Sequence, residues 1–349
     1  MTNNDSSWVP DNFDGFPDKA KHLQLHKWLH IVGIPVIVLM GLVANCLCLL
    51  TYCRSRLRVL SSSFYIVAIT ITHSLYLLRW IVAWLENFDV LKSFGFFACF
   101  TLSYSIYVLT FVSVYTFLAM TAERCVIVYF PQKRLQWCKP WRAKAIVTSI
   151  VLTAMVIYSV TFLLVDTVTL NHSQTVVCFP KSTISLLGVN IPFQVVDVII
   201  AHLLPASAIV ALNIAIAWKI RHFICHVTSA EDSTDLRLTS CIRLQLSRDG
   251  IPPQLSRSLS EILKQDFNLR TTRSCLCASC VYLALYVPIT ALNIASKLFN
   301  FNNYYSRYIT AIHVCHFISY VNYATTSLLF CLSNRSSRFA LLRLLRKRK

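Results

Sequence analysis

Arg79, Glu123, Arg124 and Asp197 lie in stretches that are otherwise apolar. A charged group among apolar neighbours is costly unless paired or hydrated, so each is a candidate for binding chemistry. Asp197 offers an acceptor for a cation. Arg79 offers the opposite charge, and the two could meet ligand groups or only neutralise each other and shape their surroundings. Glu123 offers Arg124 a partner, while Arg124 could equally reach out as an interfacial anchor. His73 could titrate near neutral pH or stay neutral and hydrogen-bonded. Cys275, Cys277 and Cys280 invite a metal reading, but no second ligand cluster accompanies them, and buried cysteine packs as a small hydrophobe. No catalytic set, metal site or cofactor is expected, and the chain is not expected to be an enzyme.

These residues need helices to place them. From Cys99 to Arg124 a single helix would run about 37 Å at 1.5 Å per residue, more than a hydrocarbon core of about 30 Å. The two ends would face opposite sides of a membrane. Composition agrees: of 349 residues, 56% are hydrophobic and only 14% charged, against about 25% charged in soluble domains. The apolar residues fall into blocks near His30–Tyr52, Phe64–Leu85, Phe97–Val128, Ala143–Leu164, Phe193–Trp218, Cys275–Phe299 and Ile309–Leu332. Blocks of this length exclude barrel strands, which are shorter and alternate. The expected class is an all-α membrane protein, a bundle of seven transmembrane helices.

The net charge of +18 flanks the blocks rather than forming one basic domain, which excludes a nucleic-acid reading. Arg54, Arg56 and Arg58 follow the first block, and Lys133, Arg134, Lys139, Arg142 and Lys144 follow the third. The positive-inside rule then places the amino terminus outside and the carboxyl terminus in the cytoplasm, at the plasma membrane. No cleavable signal sequence opens the chain, so the first span would target it. Residues 1–29 read as an extracellular segment, 30–332 as the transmembrane domain with a cytoplasmic third loop over 220–271, and 333–349 as a cytoplasmic tail. That tail spaces Phe339, Leu341, Leu342, Leu344 and Leu345 among arginines, which suits an amphipathic eighth helix on membrane lipid, or else a basic tail that only fixes topology. Asn4 and Asn171 stand in glycosylation sequons on the outer side.

Several residues fall in a familiar order. Asn45 follows Gly41 in the first span; Cys99 and Cys178 bracket spans three and four; Glu123, Arg124 and Cys125 end the third; Pro205 and Pro288 lie in the fifth and sixth. With these the chain resembles a class A, rhodopsin-like G protein-coupled receptor over nearly its whole length. The resemblance implies a disulfide between Cys99 and Cys178, tying the second outer loop over span three. It implies that Glu123, Arg124 and Cys125 meet a heterotrimeric G protein, and that the kinks at Pro205 and Pro288 let the inner half of span six move. Residues 120–131, Cys138 and 142–144 are also similar to invertebrate FMRFamide-like neuropeptide receptors.

The departures from the family pattern concern the activation switch. The usual aspartate of span two is His73, counting from Asn45. The usual tryptophan before Pro288 is Tyr286, and the usual Asn-Pro-x-x-Tyr of span seven runs from Thr326 to Phe330. The polar network between ligand and inner face is thus rebuilt or thinned, and sodium loses its counter-charge.

No acid precedes Glu123 in span three and no lysine lies in span seven, which disfavours a biogenic amine and excludes a retinal Schiff base. The expected ligand-facing residues are Tyr107, Thr110, Asp197, Asn293, His313, His316 and Tyr320, with Tyr104 beside them. A wide aromatic mouth with mixed charge suits an extracellular peptide. The alternatives are a small-molecule chemosensory receptor and a non-signalling decoy or scaffold. A transporter or channel would need a repeat or several midplane charges, and neither is evident.

Overall fold

In hydrocarbon only a helix satisfies the backbone of a lone apolar segment from within, and the described residues form seven long helices and a short eighth. The computed structural model describes residues 29–86, 95–169, 176–180, 183–186, 189–231, 253–298, 305–333 and 335–346. The helices are α1 (Ile34–Arg54), α2 (Ser61–Glu86), α3 (Gly95–Tyr129), α4 (Pro140–Tyr158), α5 (Leu204–Glu231), α6 (Pro253–Leu298), α7 (Tyr305–Ser333) and α8 (Arg335–Arg346). Local chemistry sets their starts. Prolines stand in the first turns of α1 and α4, where the missing N–H would have no partner anyway. Between α1 and α2, the Ser55 hydroxyl accepts from the Leu57 N–H at 3.1 Å and starts a 3-10 turn over Arg56–Val59.

Among the described residues, six helices are long and apolar enough to cross a membrane. The seventh, α7, is as long as the others at 29 residues but more polar, carrying His313, His316, Asn322, Thr325, Thr326 and Ser327. It packs against α1, α2 and α6, and its Ser319, Asn322, Thr326 and Ser327 are buried.

α3 runs through the centre, in contact with α2, α4, α5 and α6. Phe117 and Met120 of α3 are fully buried, with Ile209 of α5 and Tyr282 of α6 in the same core. α4 is peripheral: only Ala143, Ala154 and Tyr158 are buried along it, while Leu152, Met155 and Val156 are exposed. An apolar face left outward belongs against lipid.

Two features depart from a purely helical expectation. The α4–α5 connection forms two antiparallel hairpins: β1 (Val165–Thr169) with β2 (Val176–Pro180), and β3 (Thr183–Leu186) with β4 (Val189–Pro192). The approach to α5 is a short helix, Phe193–Asp197, and then a π turn, Val198–Leu203, directly before Pro205. Proline cannot donate to the preceding turn, and the wider turn absorbs that loss. Pro288, in contrast, lies inside the 46-residue α6. α5 runs on to Glu231 and α6 begins at Pro253, so both helices extend into the 220–271 stretch.

α8 docks by its polar side. Ser337 is fully buried, and its Oγ lies 3.0 Å from the Tyr52 hydroxyl, which also reaches the Phe330 carbonyl at 3.1 Å. Phe339 and Leu342 are exposed at 55% and 54%, leaving an apolar face beside the arginines.

Gly41 shows how close the helices come. A Cβ there would meet Leu77 Cδ1 at 2.6 Å and Ala324 Cβ at 2.8 Å, with the Ala324 Cα at 3.0 Å. Backbone cannot give way as a side chain does. Gly41→Val is expected to destabilise the fold by about 1–3 kcal/mol, read as a lower melting temperature of the purified protein; an unchanged temperature would mean α1 is free to shift.

Candidate functional site

The residues that build a site lie along α3. About two turns in from Cys99, a cavity of ≈ 340 Å³ opens among α2, α3, the start of α5, α6 and α7. Tyr107 and Thr110 line it from α3, Asp197 and His202 from the lead-in to α5, Tyr286 from α6, and His316 and Tyr323 from α7. Aromatic faces dominate: Tyr107 stacks on Tyr158 at 5.5 Å and meets Phe193 edge-on at 5.3 Å.

A chain of polar contacts crosses this wall. The Tyr158 hydroxyl of α4 donates to Asp197 Oδ1 at 2.6 Å. Asp197 Oδ2 lies 3.8 Å from His202 Nε2. His202 Nδ1 is hydrogen-bonded to the Tyr286 hydroxyl of α6. Arg79 does not join it: its Nε donates to the Leu102 carbonyl at 2.9 Å and its guanidinium lies over Trp80. Asp197 therefore lines the cavity without a bound arginine.

Below the cavity an aromatic column continues toward the Arg124 end. Tyr286 stacks on Tyr282 at 5.4 Å, Tyr282 on Phe117 at 4.3 Å, and Phe117 on Phe330 at 5.9 Å. Beside it is a buried polar layer. His73 is fully buried, with Nε2 at 2.9 Å from Ser113 Oγ and its ring edge-on to Tyr323 at 4.8 Å. Thr326 donates within its own helix to Asn322, and Ser327 donates to Thr70 at 3.4 Å. Both amide atoms of Asn45, His73 Nδ1 and Asn322 Nδ2 are buried with no hydrogen-bond partner among the described residues. Buried polar atoms of this kind are the sites that ordered waters serve.

At the far end of α3 the expected ion pair gives way to another arrangement. Glu123 Oε1 accepts from the hydroxyls of Ser61 at 2.8 Å and Ser62 at 3.0 Å, tying α3 to the first turn of α2. No Glu123–Arg124 ion pair occurs among the described residues. Arg124 is only 4% exposed, so it is no interfacial anchor, and its Nε has no partner there. In the adjoining turn, burial and the Glu123 carboxylate push the Cys138 thiol up to about 11, and burial lowers Arg134 with Arg124 adding to the effect. Cys125 is half-buried beside them. Lys133 lies over the rings of both Phe130 and Trp137 at 5.5 Å.

Seven long helices packed with α3 at the centre, a polar-aromatic cavity at one end and a buried arginine at the other, invite comparison with known families. A family model described as 7 transmembrane receptor (rhodopsin family) matches residues 44–325. The chain belongs to the rhodopsin-like family of seven-transmembrane receptors. No curated protein matches it. It is thus a multi-pass membrane protein of a family of signalling receptors.

The structure sorts the residues singled out in this receptor. Tyr107, Thr110, Asp197, His316 and Tyr286 meet at one cavity. Tyr320 stands behind it, against Trp80 at 4.4 Å and His316 at 6.2 Å. Tyr104 turns away, its hydroxyl bonded to the Met155 carbonyl of α4. The side chains of Asn293 and His313 lie outside the described residues, as do Asn4 and Asn171 and the side chains of Cys99 and Cys178. The strand carrying Cys178 does pack against α3, which carries Cys99. Cys275 is buried while Cys277 and Cys280 are exposed, so the run does not converge on one point.

His202 was not among the expected residues. It stands five positions after Asp197, and in an α-helix two such residues point about 140° apart. The π turn, bonded from i to i+5, brings them to one side. Pro205 was the available signal, but it does not by itself specify a π turn.

The polar layer generates a prediction. Asn45, His73, Ser113, Asn322, Thr326 and Ser327 include no carboxylate, so a sodium ion would lose its counter-charge there. A ligand that binds only the folded state raises its stability. The melting temperature of the purified receptor is expected to be equal in sodium and choline chloride at matched ionic strength. A rise specific to sodium would contradict this.

Proposed function

We propose that this receptor sits in the plasma membrane with its amino terminus outside, binds an extracellular peptide carrying a basic or amidated end, and activates a heterotrimeric G protein. The observation that carries this reading is the Asp197 carboxylate in an aromatic cavity, held by Tyr158 and not neutralised by Arg79. A carboxylate with aromatic neighbours favours a cation by charge and by ring faces. The cavity volume of ≈ 340 Å³ accommodates one or two residues, so the rest of a peptide would lie over the α4–α5 hairpins. A disulfide from Cys99 to Cys178 fits the packing of β2 on α3 and would hold that surface in place. Membrane lipid meets the exposed face of α8.

The same volume also suits a small molecule, since ligand pockets span about 300–1,000 Å³. A chemosensory receptor for a small cation is therefore the second reading. Both put the charge on Asp197, and ligand size separates them.

At the Arg124 end, the buried guanidinium is the group proposed to meet the G protein, with Glu123 and Cys125 shaping its surroundings. Glu123, held by Ser61 and Ser62, fixes α2 to α3 there. The cytoplasmic assignment follows from the basic residues that flank this end.

A second-messenger screen of the expressed receptor against an amidated-peptide library tests the reading. Asp197→Asn is expected to weaken a basic agonist by about 1.5–3 kcal/mol, the range of a charged hydrogen bond, at normal surface expression. An unchanged dose response would exclude Asp197 as the counter-charge. Arg124→Ala is expected to abolish the second-messenger response; full output from that variant, or none from the wild type with bound peptide, would favour a decoy or scaffold.

A further inference from the structure

Arg79 is a cation within the candidate span Ser61–Val82, and no carboxylate meets it among the described residues. Glu123 is held by Ser61 and Ser62, and Asp197 by Tyr158. An uncompensated charge in a span is unfavourable, and an anion that reaches it offsets the penalty. We infer that Arg79 is a subsite for an anionic group of the ligand, which then carries a free carboxylate, rather than an amide, beside the cation bound by Asp197. The inference rests on the cation-binding reading of Asp197 and adds a second charge to the ligand of that site.

Arg79 stands next to the cavity. Tyr76 of α2 and Ile106 of α3 line the cavity wall. Arg79 follows Tyr76 by three residues, on the same face of α2. Its Nε donates to the carbonyl of Leu102, four residues before Ile106. The pairs Ser61–Glu123, His73–Ser113 and Arg79–Leu102 show that α2 and α3 run antiparallel. Both steps therefore lead away from Arg124, by about one turn or 5 Å. Arg79 stands one turn beyond the cavity, on the Cys99 side.

The guanidinium has donors to spare. Leu102 uses Nε, and the plane lies over Trp80 at 5.2 Å, which orients it. Nη1 is buried with no hydrogen-bond partner. The residue as a whole is half-buried, so it is not sealed off. A carboxylate can take two guanidinium donors side by side. Tyr320 packs on Trp80 at 4.4 Å and on His316 at 6.2 Å, and His316 lines the cavity. An aromatic wall thus joins Arg79 to the cavity. The negative group of the cavity lies on the α4–α5 side, where Tyr158 holds Asp197, and the nearest free cation on the α2–α3 side. A terminal basic residue with a free carboxylate carries both matching charges. An amidated end offers no charge to Arg79.

The probe is Nα-acetyl-lysine, which carries a side-chain cation and a free carboxylate, compared with its amide. Each is titrated against the melting temperature of the purified receptor, which a ligand of the folded state raises. On the wild type the acid is expected to act at concentrations about tenfold lower than the amide, the margin of a charge-assisted hydrogen bond. Arg79→Gln is expected to remove that margin and Arg79→Lys to keep part of it, while Asp197→Asn weakens acid and amide alike. An arginine with only a structural role would lower the melting temperature on substitution and leave the margin intact. Equal effects of acid and amide on the wild type, including none from either, overturn the inference, as does a margin that survives in Arg79→Gln. A melting temperature raised by sodium chloride over sodium methanesulfonate through Arg79, without an acid margin, also overturns it and gives the site to inorganic chloride. A margin that needs Arg79 and is accompanied by no loss in Asp197→Asn supports the carboxylate subsite, and the reading that fails is that of Asp197. Where Arg79→Gln does not fold, a reduced margin in Arg79→Lys decides.

Discussion

Hydrocarbon donates and accepts no hydrogen bonds, so every polar group in the bundle must find its partner inside the protein. The chain meets this constraint first within each helix. Thr51, Thr70, Thr72, Thr116, Thr121, Ser279 and Thr325 each donate to the carbonyl four residues earlier. A hydroxyl bonded in this way can face lipid or protein at little cost. The remaining polar groups must be met between helices, and those bonds set the architecture: Glu123 ties α3 to α2, Tyr129 reaches the Ala215 carbonyl of α5, and Tyr52 joins α1 to α7 and α8. Hydroxyls thus do at helix contacts what ion pairs do less readily where desolvation is expensive.

The same constraint explains the character of the centre. With His73 in place of a carboxylate, the layer between α2, α3 and α7 carries no fixed negative charge. Continuity between the cavity and the Arg124 end passes instead through rings, from Tyr286 to Phe330. Aromatic contacts are insensitive to which counter-ions surround them, and they are rigid because buried rings have few rotamers that avoid collision. The column is a continuous run of stacked rings, with the buried polar layer beside it.

Much of this was legible in the sequence, for reasons that differ by residue. Blocks of apolar residues fixed the spans because length against bilayer thickness leaves few options. Asn45, Arg124 and Pro288 kept their order because they are counted along single helices. What escaped depended on geometry that spacing does not encode. α7 reads as apolar, and spacing does not show that its Ser319, Asn322, Thr326 and Ser327 are buried. Glu123 looks like the neighbour of Arg124, yet its nearest donors are Ser61 and Ser62, more than sixty residues earlier. The hairpins after α4 have too few alternating residues to stand out beside long spans. His202 was invisible because its relation to Asp197 exists only in a π turn.

That turn has an evolutionary consequence. Relative to an α-helix, Val198–Leu203 accommodates one surplus residue over nearly the same rise. Removing a single residue there would let the turn relax to ordinary α geometry. Everything after Leu204 would keep its register. The Phe193–Asp197 helix would rotate as a unit, carrying Asp197 away from His202 and Phe193 away from Tyr107 and Tyr158. A lineage could therefore change the charge presented to its ligand by one codon's gain or loss, with repacking confined to the outer end of α3 and α4.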